Sequence, residues 1–398
     1  MKILEINAMC GIGSTGRIVT GLMKEAKALG HIVKAVCSPR EPVQDATAEE
    51  VIIAGSKEDY YLHNILSRIT DHEGLYSKTT TKQVVQRIRA FNPDLIHVHT
   101  LHGHWINYEI LFRYLTEENK KVIWTFHDCW PFTGHCVYFD TLQCEQWKEH
   151  CHRCKDTSVY PKCYMTGDAE GNFSRKKRAF TSVQNMTIVT PSAWMATLAR
   201  ESFFRGYRIE VIHNKIDLSI FKPTGGDFRR RYGLEGKKIV LGVANVWMKD
   251  KGLDDFIRLS GMLGNEYRIV LVGMTEEQKA ALPERIIGLG RTNESRELAE
   301  IYTAADVFLN LTYQDTYSMV NLEAIACGTP VVTYNSGGAG ETIDESSGIA
   351  VPKGAIEEIP GAIEKALQLS KEGIFRRVEE IRGYGNYMPL YANICASL

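Results

Sequence analysis

The stretch from residue 305 to residue 334 constrains the fold more than any other. Residues 305–311, ADVFLNL, form an apolar run rich in β-formers, as a buried parallel strand requires. Asp315 falls in the loop that follows. A helix is expected to begin near Tyr317 or Ser318, because Met319, Leu322 and Ile325 recur at helical spacing. Gly328 is placed to end that helix, Pro330 cannot continue it, and residues 331–334 read as the next strand. A helix N-terminus at the carboxyl end of a parallel strand offers free amides and the positive end of a dipole to an anion. Two carboxylates, Asp315 and Glu323, flank these amides and would repel a bare phosphate. Sugar hydroxyls on the acids remove that conflict. The spacing therefore points to a nucleotide-sugar, with its phosphates on the amides near Ser318 and Met319 and one acid on each sugar.

This block resembles the acid-x7-acid signature of the retaining glycosyltransferases of family four, which have the GT-B fold. Residues 323–331, EAIACGTPV, match the run that follows the second acid in that family. Family members usually carry Glu at both acids; here the first is Asp315. The alternative is an ordinary strand–helix–strand unit with incidental acids. The resemblance implies an α/β chain of two doubly wound Rossmann-like domains facing a cleft. The acceptor would sit on the first and a nucleoside-diphosphate-sugar on the second.

Bulk properties agree. A chain of 398 residues exceeds one comfortable core, and two domains of ~150–200 residues are expected. Lysine and arginine total 47 against 48 acids, a net charge of -1, which argues against a nucleic-acid binder. No run approaches the ~18 apolar residues of a membrane helix. Residues 1–7 read as a short charged strand and not as a signal peptide, so a cytoplasmic location is expected.

In the first half, residues 2–8 and 32–37 read as strands around a helix with Ile18, Leu22, Ala26 and Leu29 on one face. Gly11, Gly13 and Gly16 between them fit G-x-G-x-x-G. An NAD-dependent oxidoreductase would need an acid at the end of the second strand, and residues 36–40, VCSPR, offer none. By resemblance, the Gly13 loop instead lines the cleft near acceptor and donor phosphate; the alternative is a plain tight turn. Residues 81–91 read as a helix, and 94–98, 121–126 and 187–190 as strands. The first two lead into His97, His99 and His127, at the strand ends where α/β sheets bind ligands. By resemblance His127 contacts the transferred sugar and His99 holds a second cleft position. Without the resemblance both read as structural histidines.

Ten cysteines are many for a reducing compartment, and six fall between Cys129 and Cys163. Cys136, Cys144, Cys151 and Cys154 can supply a tetrahedral thiolate site for a structural zinc, with one C-x2-C pair as the chelating turn. The alternative is a set of buried thiols in an insertion over residues 130–163. That segment resembles one branch of the family, which builds surface polysaccharides of the colanic-acid type. Residues 173–178, FSRKKR, are a basic run: either a solvated helix start or a weak contact with anionic lipid that would suit a lipid-linked acceptor.

Residues 211–217 resemble the family's interdomain crossing, with Lys215 in place of a usual glycine, and 223–226 are turn-rich. Strands are expected at 238–243, 268–273 and 286–290, with Asn293 or Ser295 capping a helix that runs to Ala305. The family usually has Arg where Asn245 stands and Lys where Lys251 stands, both clamping the diphosphate. Asn245 carries no charge, and Lys249 is one candidate to compensate for it. Residues 336–341, SGGAGE, resemble the turn bordering the donor, although Glu341 also suits the start of a helix. Residues 356–367 read as an amphipathic helix, and the chain from Ile374 is expected to cross back onto the first domain.

The sequence thus implies a domain over 1–212, a nucleotide-sugar domain over 213–373 and a returning segment over 374–398. The implied chemistry is sugar transfer with retention to a saccharide or lipid-linked saccharide, with no metal cofactor required. Lys251 and the helix amides would neutralise the diphosphate, Glu323 hold the ribose, Asp315 hold the sugar, and His127 orient it. A non-catalytic sugar-nucleotide-binding protein of the same fold is the alternative, favoured by Asn245 and Asp315.

Overall fold

A computed structural model describes residues 1–292 and 294–396. The chain divides into two compact units, Met1–Ile212 with the residues from Asn386 onward, and His213–Gly385. Each unit is built on one parallel sheet.

The first sheet contains β1 (Lys2–Ile6), β2 (Ile32–Cys37), β3 (Val51–Ile53), β4 (Leu95–Val98), β5 (Val122–Thr125), β6 (Met186–Thr190) and β7 (Arg208–Val211). Their order is β3-β2-β1-β4-β5-β6-β7, and every pairing is parallel. The chain winds one way from β1 and then the other, so the switch point lies between β1 and β4, where the ends of two loops diverge and leave a crevice. Side chains alternate along these strands. Leu4 and Ile6 enter one apolar layer, with Trp124 and Phe180. Ile3 enters the other, with Tyr387 and Tyr391. Glu5 and His97, fully buried, are paired across β1 and β4.

The second sheet contains β8 (Lys238–Val243), β9 (Tyr267–Val272), β10 (Ile286–Leu289), β11 (Val307–Asn310), β12 (Val331–Asn335) and β13 (Gly348–Pro352). Their order is β10-β9-β8-β11-β12-β13, again all parallel. The switch point here lies between β8 and β11.

Several expectations are corrected. The short strands β3, β7 and β13 were not expected, and β7 ends at Val211, the first residue expected in the crossing. The helix expected over 356–367 is a 3-10 turn Ile356–Glu358 followed by an α-helix Ile359–Ala366. The helix Lys371–Ile381 belongs to the second unit, so the return to the first begins at Asn386 and not at Ile374. Ile374 and Ile381 are buried in the core around β11 and β12, which holds that helix there. The helix Ser295–Ala304 follows Glu294, with no side-chain cap, so Ser295 is its first residue and not its cap; Asn293 lies outside the described residues. Lys215 does not adopt the left-handed backbone. The basic run falls within the helix Ala169–Phe180 and is not its start. There Lys176 is buried, while Arg175 pairs with Asp168 at 2.7 Å and Arg178 with Glu109 at 3.3 Å. Among the described residues no helix is long and apolar enough to cross a membrane.

Candidate active site

In the second unit the loops after β8 and β11 meet at the switch point. Gly252 makes this possible. Its φ is +75°, and a Cβ there would meet the Leu311 carbonyl oxygen at 2.3 Å, so only glycine lets the first loop approach the end of β11. The two loops are then stitched together. Tyr313 donates its amide to the Asp250 carbonyl at 2.8 Å, and Lys251 Nζ reaches Thr312 Oγ1 at 3.4 Å.

Asp315 is half-buried, and its carboxylate accepts from the Tyr317 amide at 3.2 Å and the Ser318 hydroxyl at 2.8 Å. Behind it the turn at Gly337 comes so close that a Cβ would lie 2.0 Å from the Asp315 carbonyl oxygen. The Gly338 amide donates to that oxygen at 3.0 Å. The helix Met319–Ala326 begins immediately afterwards. Ser318 stands at its N-cap but makes no side-chain cap bond, because its hydroxyl is committed to Asp315. The first-turn amides near Met319 therefore lack a side-chain cap, the condition for accepting an anion. Glu323, half-buried one turn on, accepts from the buried Tyr302 hydroxyl at 3.0 Å. Burial, and then the Glu323 carboxylate, push the Tyr302 phenol well above its ordinary pKa, so it stays a donor.

A buried polar network fixes the helix start. Asn310 Nδ2 donates to Ser318 Oγ and to Asn321 Oδ1, each at 2.9 Å, and Asn321 Nδ2 donates to Thr342 Oγ1 at 2.8 Å. Sequence reasoning missed both asparagines. The available signal was Asn321, a fully buried amide in a mostly apolar eight-residue helix. Glu341 lies in a 3-10 turn, Ala339–Thr342, bordering this network. A guanidinium reaches Asn245 from elsewhere in the sheet: Arg291, just beyond β10, donates to Asn245 Oδ1.

In the first unit the loop after β1 folds on its glycines. Gly11 has φ +78°, and a Cβ would strike the Gln44 carbonyl oxygen at 2.2 Å. Gly13, with φ +70°, is the first residue of the helix Gly13–Ala28, whose N-cap Ile12 contributes no side-chain bond. Across the switch point a chain of buried groups leads to His127. Glu5 Oε2 accepts from His99 Nε2 at 2.9 Å, and His99 Nδ1 lies 3.0 Å from His127 Nε2, the two rings stacked at 14°. Burial pushes the Glu5 carboxyl up, but His97 and His99 outweigh it and bring it down to about 2, so it is ionised. An ionised Glu5 only accepts, which places the His99 proton on Nε2 and leaves Nδ1 to accept from His127 Nε2–H. His127 Nδ1 is then the acceptor side of that ring. Burial, with the neighbouring charges of His99, His97 and His102, pushes His127 well below the ordinary imidazole range. The other face of the relay is closed by Tyr391, whose hydroxyl donates to Glu5 Oε1 at 3.1 Å.

In the second unit Lys251 lies on the loop after β8, and Asp315, Ser318, Met319 and Glu323 on the loop and helix after β11; in the first, Gly13 follows β1 and His127 follows β5. Cys136, Cys144, Cys151 and Cys154 line one small cavity elsewhere in the first unit.

A parallel-sheet unit with a glycine loop and strand-end histidines, and another with two acids flanking an uncapped helix, define a GT-B glycosyltransferase. Comparison with known proteins agrees. Residues 15–220 match the family described as Glycosyltransferase Family 4, and residues 226–377 match Glycosyl transferases group 1. The chain belongs to glycosyltransferase family 4. It is 25% identical over 298 residues to the putative colanic acid biosynthesis glycosyl transferase WcaC of Escherichia coli, covering 73% of this chain and 70% of that one. It is 30% identical over 194 residues to the D-inositol 3-phosphate glycosyltransferase of Mycobacteroides abscessus, covering 44% and 43%. Among solved structures, sucrose-phosphate synthase from Thermosynechococcus elongatus matches with a TM-score of 0.72 at 18% identity. Anabaena HepE in complex with UDP-glucose matches with 0.64 at 16%. Both matches cover 100% of each chain.

Proposed function

We propose that this glycosyltransferase moves a sugar from a nucleoside diphosphate to a hydroxyl of a saccharide, free or lipid-linked, with retention at the anomeric carbon. The product would serve surface polysaccharide synthesis, as the name of the WcaC relative suggests. One observation carries the reading: Asp315 and Glu323 flank uncapped helix amides, and Lys251 Nζ, from the loop after β8, reaches Thr312 on the loop that carries Asp315.

The anomeric C–O bond to the diphosphate breaks, a bond from the acceptor oxygen to the anomeric carbon forms, and the hydroxyl proton leaves with the phosphate or to solvent. Negative charge grows on the diphosphate as its bond breaks. Lys251 and the amides at Met319 are held ready for that charge and need no reorganisation. The Glu323 carboxylate would accept from the ribose hydroxyls, and Asp315 from those of the transferred sugar. His127 would accept a sugar hydroxyl through Nδ1. The chain supplies the positive charge itself, so the reading requires no metal for catalysis. Of the basic run, Lys177 and Arg178 are exposed, so contact with a membrane face would be weak.

The test is release of nucleoside diphosphate from a panel of sugar donors, with cell lipid extract or oligosaccharides as acceptors. The expected outcome is acceptor-dependent release from one donor, with a product of the donor's anomeric configuration by NMR. An inverted product overturns retention; absence of release across the panel overturns the donor reading.

A further inference from the structure

We propose that the segment 130–163 is a zinc-binding module, with a single Zn2+ held by Cys136, Cys144, Cys151 and Cys154. This inference is independent of the glycosyl-transfer reading.

The segment is long and nearly without regular structure. It contains three 3-10 turns of three residues each, Trp130–Phe132, Asp140–Leu142 and Gln146–Lys148. A stretch of this length in a compact unit needs something other than a backbone ladder to order it. An aromatic group does part of that work, with Phe139 stacked on the buried Trp147 at 4.7 Å. Beside this group Cys136, Cys144, Cys151 and Cys154 are among the residues that line a cavity of about 20 Å³. That is room for roughly one water-sized particle, and too little for an iron–sulfur cluster or an organic group.

All ten cysteines are free thiols. The Gly134 amide donates to Cys151 Sγ at 3.3 Å, the polarity a thiolate accepts. Gly134 is needed there, since a Cβ would meet the Ala169 carbonyl oxygen at 2.2 Å and Cys151 Cβ at 2.9 Å. The surrounding charge also bears on this. Lys176 is buried, donates from Nζ to the carbonyls of Trp130 and Thr133 at 2.8 and 3.0 Å, and lies 3.6 Å from the Trp130 ring centre. Four thiolates around Zn2+ carry net negative charge; burial brings Lys176 down to about 7, and that negative charge would favour its protonated form. Soft thiolates select zinc, and four protein ligands leave no position open for water, so the ion is structural.

Two other ligand sets are closer-knit, with donor atoms within 4.8 Å of one another. Glu5, His97 and His99 are consumed by their own hydrogen bonds. His150, His152 and Glu170 lie at the surface. The four thiols are not among these sets, so binding an ion would require their sulfurs to draw closer together.

The test is the metal content of the full chain, expressed in zinc-sufficient medium and purified without chelators or metal-affinity resin. About one zinc per chain is expected, lost in Cys136→Ser and Cys154→Ser and kept in Cys163→Ser and in the double variant His150→Ala/His152→Ala. If the cysteine variants do not fold, the wild-type chain grown with cobalt supplies the readout: a thiolate-to-cobalt charge-transfer band with intense tetrahedral d–d absorption. The proposal is overturned by wild-type zinc below about half an equivalent, by a cobalt spectrum without thiolate bands, by iron in place of zinc, by a disulfide among the four cysteines, or by zinc that follows the histidines.

Discussion

At the scale of single residues, the informative departures are Asn245 and Glu5. Family resemblance leads one to expect a guanidinium at 245, and the side chain there is neutral. Arg291, just beyond β10, brings a guanidinium there by donating to Asn245 Oδ1. Nothing in the sequence could have paired them, because β8 and β10 are separated by β9 and the two residues by 46 positions. If Arg291 faces the diphosphate, Arg291→Ala should raise the donor KM by ~10-fold, the worth of one charged hydrogen bond. Adding Asn245→Arg should recover most of the loss. An unchanged KM in the single variant would assign Arg291 to the surface. Glu5 is different, since it acts through His99 on His127. Glu5→Gln replaces an obligate acceptor by an amide that also donates, so the proton of His99 is no longer confined to Nε2. The expected result is a fall in kcat of ~10-fold or more at nearly constant donor KM, with a displaced acid limb in the pH profile. Equal pH profiles for variant and parent would confine Glu5 to a structural role.

At the scale of elements, glycines set the site as much as charges do. The Lys251 turn reaches the end of β11 because Gly252 has no Cβ and a φ of +75°. Gly252→Ala should cost about 1–3 kcal/mol in the stability of the second unit. It should also lower turnover well below the melting temperature, since Lys251 moves with the turn. Full turnover with lost stability would separate the two effects and show that Lys251 does not depend on this approach. The same strand–helix elements show what a sequence can reveal. The elements around Asp315 and Glu323 were legible because apolar period, a capping Gly328 and Pro330 all pointed one way. The strands β3 and β13, of three and five residues, were not. Their identity comes from pairing with β2 and β12, which is a tertiary fact. The Glu5–His99–His127 relay was partly visible. His97 and His99 stood out at a strand end, but Glu5 was read as one residue of a short charged strand. A lone acid inside KILEI, buried on both faces of the sheet, was the missed sign that a partner is needed.

At the scale of the whole chain, ionisable groups are distributed unevenly. Every histidine except His213 precedes Ile212, and several are buried with altered affinity for protons. Burial, then the charge of His97, holds His99 down at about 4 against the pull of Glu5; burial holds His63 at about 4, with Glu73 pulling it up and His104 pushing it down. Their ordinary value is 6.5. As pH falls from 6.5 toward 4, the unfolded chain therefore takes up protons that the folded chain does not, and folding is disfavoured throughout that window. Each histidine is worth on the order of 2–3 kcal/mol across it. Glu5, held at about 2 against an ordinary 4.5, adds a loss in the same direction at lower pH. The reporter is built in, because every tryptophan except Trp247 also precedes Ile212. Urea unfolding followed by tryptophan fluorescence should show a midpoint that drops steadily between pH 7 and pH 4.5, and replacing His63 and His99 by Asn should flatten that slope. A midpoint independent of pH in the parent chain would mean that these rings are protonated in the folded state. The neutral relay on which the assigned role of His127 rests would then be lost with it.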